Sequence, residues 1–227
     1  MLKKILLFTF LIVSISQAIA QDVLVDKVFE ENIQSVRLFP QTQDFGSQMT
    51  SPAISLQAAT PLLLSFDDIA YDPDMYSARI IHCDMDWTPS DLKENDYLDQ
   101  FNEFNVNDYN YSIDTRIPYI HFNFVLPRVT KSGNYVVQVY RARDKNQTII
   151  TKRFMVFDNS IQIAAKVVPP SQTEFRRKQQ QINLNINYKA REVLDPRNSL
   201  KVLIRQNQRW DNVKKDLVPT MVREDLK

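Results

Sequence analysis

The 227-residue chain has only two glycines, Gly46 and Gly133, where an average composition would give roughly 16. Phosphate-binding loops, dinucleotide-binding G-x-G-x-x-G turns and the G-x-S-x-G elbow of a nucleophilic serine all need closely spaced glycines. The sequence therefore excludes these nucleotide-binding and hydrolase motifs. Turns that require a positive φ are expected to use mostly asparagine and aspartate, the next most tolerant residues.

Cysteine, histidine and net charge are also scarce. Cys83 is the only cysteine, so no disulfide can form within the chain. Neither histidine, His82 or His121, lies in a recognisable nucleophile motif, so no catalytic triad can be assigned. The formal net charge of +1 gives no electrostatic case for binding nucleic acid. Apolar residues nevertheless make up 44% of the chain, which is enough for a folded core.

Long apolar runs are absent except at the N-terminus. Lys3 and Lys4 precede an apolar run, Ile5 to Ile15, and a short segment that ends at Ala20. This is the design of a secretory signal peptide over residues 1–20, and it predicts cleavage after Ala20. The run is too short to span a bilayer as a helix. We therefore expect an exported protein with no transmembrane segment after cleavage.

Between residues 36 and 158, short runs of alternating apolar and polar residues are separated by proline and other turn residues. About seven such runs in roughly 120 residues predict an all-β fold, an immunoglobulin- or fibronectin-like β-sandwich. Residues 21–35 form an N-terminal segment before it. In the run Ile120 to Leu126, alternation places the apolar side chains on one core-facing side. Tyr135 opens another strand just after a turn, as the tyrosine of a tyrosine corner does.

Residues 159–227 contain fewer strand patterns. Strands are predicted at Ile161 to Val168, Ile182 to Tyr188 and Leu200 to Gln206, which are too few to close a sandwich. We therefore expect the start of a second, incomplete β-sandwich. This interpretation makes the sequence the N-terminal fragment of a longer protein.

The acidic segment from Ser90 to Phe101 lacks the alternation of a strand. It predicts a long loop with one or two helical turns, the first of them capped by Ser90. A loop of this length in a compact domain is usually functional or ordered by a partner.

One group of side chains has the chemistry of a weak metal-site candidate. If Tyr76 to Trp87 is a single strand, then His82, Asp84 and Asp86 share one face, and Cys83 lies on the opposite face. One histidine and two carboxylates could bind a metal ion, although side chains along one strand face stand parallel and do not converge. A polar strip is the favoured interpretation, and we predict no metal, cofactor or catalytic residue. Cys83 is expected to be a buried, inert thiol.

Aromatic and amide side chains allow a binding function. The segment Gln206 to Asn212 reads QNQRWDN, and it is either a recognition loop or a turn whose Trp210 fills the core. Tyr109 and Tyr111, together with Trp210, could serve a module that binds glycan or peptide. A carboxylate pair for glycoside hydrolysis cannot be assigned from the sequence.

Four segments are more specific than any alternation pattern. They are ARIIHCDMDWTPSDL (Ala78 to Leu92), YIHFNFVLP (Tyr119 to Pro127), SGNYVVQV (Ser132 to Val139) and QNQRWDN (Gln206 to Asn212). They resemble the N-terminal domain of the type IX secretion system plug protein, a Bacteroidetes family once described as a domain of unknown function. Motif residues to which the resemblance assigns no role are His82, Cys83, Asp84, Trp87, Ser132, Gly133, Asn134, Tyr135, Gln206, Asn207, Arg209, Trp210, Asp211 and Asn212.

The resemblance implies a non-enzymatic β-sandwich protein in the periplasm, at the inner face of the outer membrane. Its implied partner is the very large outer-membrane β-barrel translocon, whose periplasmic end the plug closes. No nucleic-acid partner is implied. Members of the family continue beyond the length of this chain into the rest of a second domain. The alternative is an exported β-sandwich module that binds glycan or peptide.

Overall fold

The computed structural model describes residues 23–142, 144–207 and 209–222. The predicted signal peptide lies outside the described residues, and so does the predicted cleavage after Ala20. The strands are β1 (Lys27–Val28), β2 (Ile33–Pro40), β3 (Ala53–Ser55), β4 (Leu62–Asp68), β5 (Tyr76–Cys83), β6 (Phe104–Val106), β7 (Asp108–Tyr111), β8 (Ile120–Val125), β9 (Gly133–Arg141), β10 (Thr148–Phe157), β11 (Gln162–Val168) and β12 (Gln181–Asn187). The helices are α1 (Glu94–Tyr97) and α2 (Pro196–Ser199), with 3-10 turns at Phe45–Met49 and Thr173–Phe175.

Two sheets pack face to face and form an all-β sandwich, as predicted. The first sheet has the order β1-β10-β9-β5-β6, with β3 pairing parallel to the end of β10, and the second has the order β2-β4-β8-β7. Their inner faces meet in one core, where the ring centroids of Phe66 and Phe122 lie 5.1 Å apart and Tyr76 packs edge-on against both. Burial of this apolar surface is the main force that holds the sheets together.

Alternation correctly predicted the face of β8. Ile120, Phe122, Phe124 and Leu126 are buried, whereas His121 and Asn123 are partly exposed. The inward residues join the core cluster because successive strand side chains point to opposite faces. His121 instead meets Asp67 on the neighbouring strand, with Nδ1 and Oδ1 2.6 Å apart.

The predicted single strand from Tyr76 to Trp87 is wrong beyond Cys83, where β5 ends. The chain turns there: the Trp87 amide donates to the Asp84 carbonyl, and the Asp84 amide donates to the Thr88 carbonyl. Trp87 has a φ of 72°, in the left-handed region that a bulky residue rarely adopts. Asp84 and Asp86 therefore lie in a turn and do not continue the strand face of His82.

The long loop from Ser90 to Phe101 contains one helical turn, α1, but its predicted cap is wrong. The N-cap is Lys93, whose amide donates to the Asp96 carboxylate at 2.9 Å. Ser90 lies three residues before this cap, and its hydroxyl instead contacts Nδ1 of His82 at 2.6 Å and accepts from the Leu92 amide at 3.3 Å.

Asn102, which follows that loop, extends the edge of the first sheet. Its side-chain amide donates to the Ile80 carbonyl at 2.7 Å, and its side-chain oxygen accepts from the Ile80 amide at 2.8 Å. It replaces the strand neighbour that β5 lacks after its short pairing with β6. Nothing in the local pattern singled out this asparagine.

In the part after residue 158, β11 and β12 form an antiparallel ribbon. Its register pairs Ile163 with Ile186, Ala165 with Leu184 and Val167 with Ile182, so one face is apolar. The strand predicted from Leu200 to Gln206 is wrong, because that segment forms only an isolated bridge between Ile204 and Lys214. A second sandwich stays a prediction.

Positive φ values occur mostly at asparagine and aspartate, as the scarcity of glycine predicted. Among the described residues, the non-glycine positions with positive φ are Ser35, Trp87, Asp114, Asn207 and Asp216. Three of the five are asparagine or aspartate, the residues that tolerate this region best. Across the described part of the chain, no helix has the length and apolar character needed to cross a membrane.

Candidate functional site

Three of the sequence motifs meet at one end of the first sheet. The register of β5 and β9 places His82 opposite Tyr135 and Cys83 opposite Asn134. Asn134 also donates from Nδ2 to the Asp84 carbonyl at 3.2 Å. The third motif, Gln206 to Asn212, comes much later in the sequence, and its Trp210 lies 75 positions after Tyr135. This juxtaposition is tertiary, and the sequence patterns did not predict it.

His82 and Gly133 fit together on the inner side of this corner. The His82 ring lies 5.0 Å from the ring of Tyr135 and 5.8 Å from that of Tyr97, and its Nδ1 is hydrogen-bonded to Ser90. A Cβ added at Gly133 would come closer than 3.0 Å to Nε2 of His82. Gly133 has an ordinary φ, so it is required for space and not for backbone conformation. Burial lowers the pKa of His82, which favours the neutral imidazole.

The predicted tyrosine corner is confirmed. The Tyr135 hydroxyl donates to the backbone carbonyl of Lys131, four residues upstream, at 2.7 Å. Its ring stacks on Phe154 of the neighbouring strand, with centroids 5.3 Å apart. Ser132, which lies between Lys131 and Tyr135 in the sequence, donates a hydrogen bond to the Asp158 carboxylate at 3.4 Å. These bonds fix the turn that precedes β9.

A second apolar cluster covers the outer side of the same corner. Cys83, Trp87 and Val136 are buried there, and Trp210 packs against them. The predicted burial of Cys83 is confirmed, with 2% of its surface exposed. Burial raises the pKa of its thiol to about 12, so the reactive thiolate is suppressed.

Trp210 lies within a stack of aromatic rings and guanidinium groups. Its ring meets that of Trp87 edge to face, with centroids 4.9 Å apart. The Arg153 guanidinium lies 4.6 Å from the Trp87 centroid and 5.1 Å from that of Trp210, and the Arg205 guanidinium lies 4.4 Å from Trp210. Such cation–π contacts strengthen when they are shielded from water. Of the two interpretations of QNQRWDN, this geometry favours a turn whose tryptophan fills a core.

Hydrogen bonds within and beside this motif hold the two ends of its loop together. The amides and carbonyls of Ile204 and Lys214 pair, and the Asn212 side-chain oxygen accepts from the Gln206 amide at 3.4 Å. Asn207 has a φ of 52° and makes the turn that glycine makes elsewhere. Arg209 is exposed and pairs with Asp211.

The weak metal candidate is not assembled. Asp86 accepts from the Thr88 hydroxyl at 2.6 Å, which lowers the pKa of the Asp86 carboxyl, while His82 is bonded to Ser90. Asp84 lies in the turn between them. In the described part of the chain, no group of three or more histidine, cysteine, aspartate or glutamate side chains is placed to hold a metal ion.

Tyr109 and Tyr111 form a separate exposed pair on the edge strand β7. They are 39% and 56% exposed, and their rings meet edge to face at 5.8 Å. Trp210 is half-buried elsewhere and does not belong to this pair.

Arg153 packs against both tryptophans and was not predicted from the sequence. A signal was present, because Arg153 directly precedes the apolar run Phe154 to Phe157. Such a residue inside a buried strand must have a partner. Here its Nε donates to the Leu24 carbonyl at 2.6 Å.

The profile of the type 9 secretion system plug protein, first domain, matches residues 33–158. The chain belongs to this family. A crystal structure of a hypothetical protein from Parabacteroides merdae has a similar fold, with a TM-score of 0.83 and 27% sequence identity. The match covers 90% of this chain and 51% of that one, so the chain spans about half the length of the solved protein. No curated protein matches the chain significantly.

Proposed function

We propose that this plug-family protein is a non-enzymatic subunit of the type IX secretion system that closes the periplasmic end of the outer-membrane translocon barrel. The observation that carries the proposal is the family match over residues 33–158, which contain every strand of the two packed sheets except β1. The geometry is compatible with it, because the motif residues are engaged in packing and hydrogen bonds. A structural role is therefore sufficient to account for the presence of these motif residues, and the proposal assigns them no catalytic chemistry.

The proposal places the mature protein in the periplasm, against the inner face of the outer membrane. It also assigns residues 36–158 to the plug's first sandwich and residues 159–227 to the beginning of a second. The apolar face of the β11–β12 ribbon supports this second assignment, because a two-stranded ribbon needs a further layer for stability.

The test is made in the native bacterium. Deletion of the gene should increase uptake of a bulky antibiotic that an intact outer membrane excludes, and a plasmid copy should restore exclusion. A tagged copy should also co-purify with a very large outer-membrane barrel after cross-linking, whereas a tagged unrelated periplasmic protein should not. Unchanged permeability in the deletion strain, together with absence of the barrel, would refute the proposed function.

A second candidate function is binding of a glycan or peptide, and the exposed pair Tyr109 and Tyr111 favours it. Aromatic rings on an exposed strand provide flat apolar surfaces for such ligands. Glycan-array or peptide-array binding that disappears in Tyr109→Ala/Tyr111→Ala, while the fold is kept, would support this function over the plug.

A further inference from the structure

Large apolar side chains are exposed together at the end of the sandwich that lies opposite to His82 and Gly133. This surface, called here the apolar end, consists of Ile69, Tyr71 and Met75 between β4 and β5, and of Tyr111, Ile113 and Ile117 at the end of β7 and in the loop that follows it. Each of these side chains is between 43% and 83% exposed. We propose that the apolar end docks a protein partner whose surface has an apolar centre and a basic rim. The inference rests on the proposed function, which makes that partner the periplasmic rim of the barrel.

The two loops of the apolar end are held in place by hydrogen bonds. The Ile69 amide donates to the Asn32 carbonyl at 2.9 Å, which ties the loop after β4 to the turn before β2. In the loop after β7, the Ser112 amide donates to the Tyr119 carbonyl at 2.9 Å, and the Tyr119 amide donates to the Ser112 hydroxyl at 3.0 Å. Apolar side chains on ordered loops lose little conformational freedom when they bind, which favours a binding surface.

The same two loops lie side by side. In the second sheet, Tyr111 pairs with Ile120, and Ile120 pairs with Asp68, the last residue of β4. Desolvation, together with Tyr109 and Asp72, raises the pKa of Tyr111, which places the Asp72 carboxylate within electrostatic reach of the Tyr111 hydroxyl. The exposed apolar side chains therefore belong to one region. Contiguous apolar patches on a protein surface mark sites of interaction.

The charges of the sandwich determine the chemistry of the partner. Glu31, Asp72 and Asp114 are exposed beside the apolar end, with Arg116 as the opposing charge. Residues 21–158 as a whole contain 20 acidic and 12 basic side chains. Two copies of this surface would repel each other, whereas a partner with lysine or arginine around its contact would be attracted. Tyrosine and methionine are also enriched at the centres of protein interfaces, which favours a protein over a glycan at this surface.

The opposite end of the sandwich is occupied by the chain itself. Strand β10 ends there at Phe157, and later residues contact that end. Arg191 pairs with Asp158 at 3.8 Å, and Arg205 donates to the Ser51 hydroxyl at 2.8 Å. The apolar end, by contrast, keeps its large side chains exposed, so it is the end that is available to an external partner.

The first experiment places a photo-cross-linking amino acid at Tyr71 or at Ile113 of the tagged full chain in the native bacterium. Both positions should form an adduct with the large outer-membrane barrel, identified by mass spectrometry. Phe45 is the matched control position, because it is 86% exposed and lies beyond the opposite end of β2. It should give no barrel adduct above background.

The second experiment measures how much barrel co-purifies with variants of the tagged chain. Tyr71→Ala/Ile113→Ala should lower the recovery at least about tenfold, because a few apolar anchors carry most of the energy of an interface. Phe45→Ala/Phe101→Ala removes two equally exposed rings elsewhere and should change the recovery by less than about twofold. Circular dichroism of the purified variants verifies that both are folded.

The basic rim of the partner is tested by charge removal. Asp72→Asn/Asp114→Asn should make the recovery of the barrel less sensitive to salt, because two carboxylates no longer attract the partner. Asparagine tolerates the φ of 54° at Asp114. Asp91→Asn/Asp99→Asn removes two exposed carboxylates away from the apolar end and should leave the salt dependence unchanged. Equal salt dependence in the two variants would contradict a basic partner.

The outcomes separate this inference from the proposed function. If the wild type recovers the barrel, but both double alanine variants recover it equally well, or only Phe45 cross-links to it, the inference is overturned and the proposed function stands. Cross-links from Tyr71 and Ile113 to a second copy of the chain would also overturn the inference. Absence of the barrel from every sample would refute the proposed function and this inference together.

Discussion

Replacing Gly133 by alanine would test whether the S-G-N-Y motif needs a glycine to leave space for the His82 ring. A Cβ at this position would come closer than 3.0 Å to Nε2 and would lie 3.0 Å from Cδ2. Atoms in favourable contact stay about 3.5 Å or more apart. The ring cannot easily swing away, because Nδ1 is hydrogen-bonded to Ser90 at 2.6 Å and Tyr135 packs edge-on against it. Strand β9 or the ring must therefore shift.

Overpacking of this kind costs about 1–3 kcal/mol, and a ring held on two sides belongs in the upper half of that range. With a urea slope of about 1–3 kcal/mol per molar, the unfolding midpoint of Gly133→Ala should fall by roughly 1 M. Gly46→Ala is the control. Its Cβ would meet the exposed, rotatable carboxylate of Asp44 at 3.0 Å, so we expect a change within about 0.5 kcal/mol.

A double-mutant cycle with His82→Ala identifies the cause. If the His82 ring is what Gly133 accommodates, then Gly133→Ala should cost less in the His82→Ala background, with a coupling energy of roughly 0.5–3 kcal/mol. The reasoning is refuted if Gly133→Ala costs no more than Gly46→Ala. It is also refuted if the costs of Gly133→Ala and His82→Ala simply add.

Three further changes test individual contacts by urea unfolding. Asn102→Ala should cost about 1–3 kcal/mol, because it leaves the buried Ile80 amide unpaired, while the Ile80 carbonyl still accepts from the Tyr97 hydroxyl. Exposed Asn105→Ala should be nearly neutral, and equal costs would contradict the edge-strand role. Burial lowers the pKa of His82 in the folded protein. As the pH falls, the unfolded chain therefore takes up a proton before the folded protein does. The free energy of unfolding should be greatest above about pH 6.5 and should decline below it. His82→Gln should flatten that pH dependence. A pH profile of this variant that matches the wild type would contradict the role of His82. Tyr135→Phe should cost about 1 kcal/mol through the lost corner hydrogen bond, against no measurable change for exposed Tyr111→Phe.

The sequence predicted those features of the fold that depend on local alternation. The inward face of β8 and the corner at Tyr135 follow from the two-residue period of a strand and the position of a turn. The burial of Cys83 was predicted, but it comes from the outer cluster with Trp87 and Val136 and not from the main core. The same rule failed after Cys83, because the apolar–polar pattern continued through Trp87 while the chain turned. Short strands such as β6, with three residues, carry too little pattern to predict.

The sequence by itself determined an all-β chain with specific family motifs and few glycines, because composition and short-range period are properties of neighbouring residues. Only the tertiary structure decided what those motifs do. Gly133 leaves room for a histidine ring from 51 positions earlier, and Trp210 packs on a tryptophan 123 positions earlier. Such contacts depend on how strands pair across the sheet, and no local pattern encodes the pairing of residues so far apart.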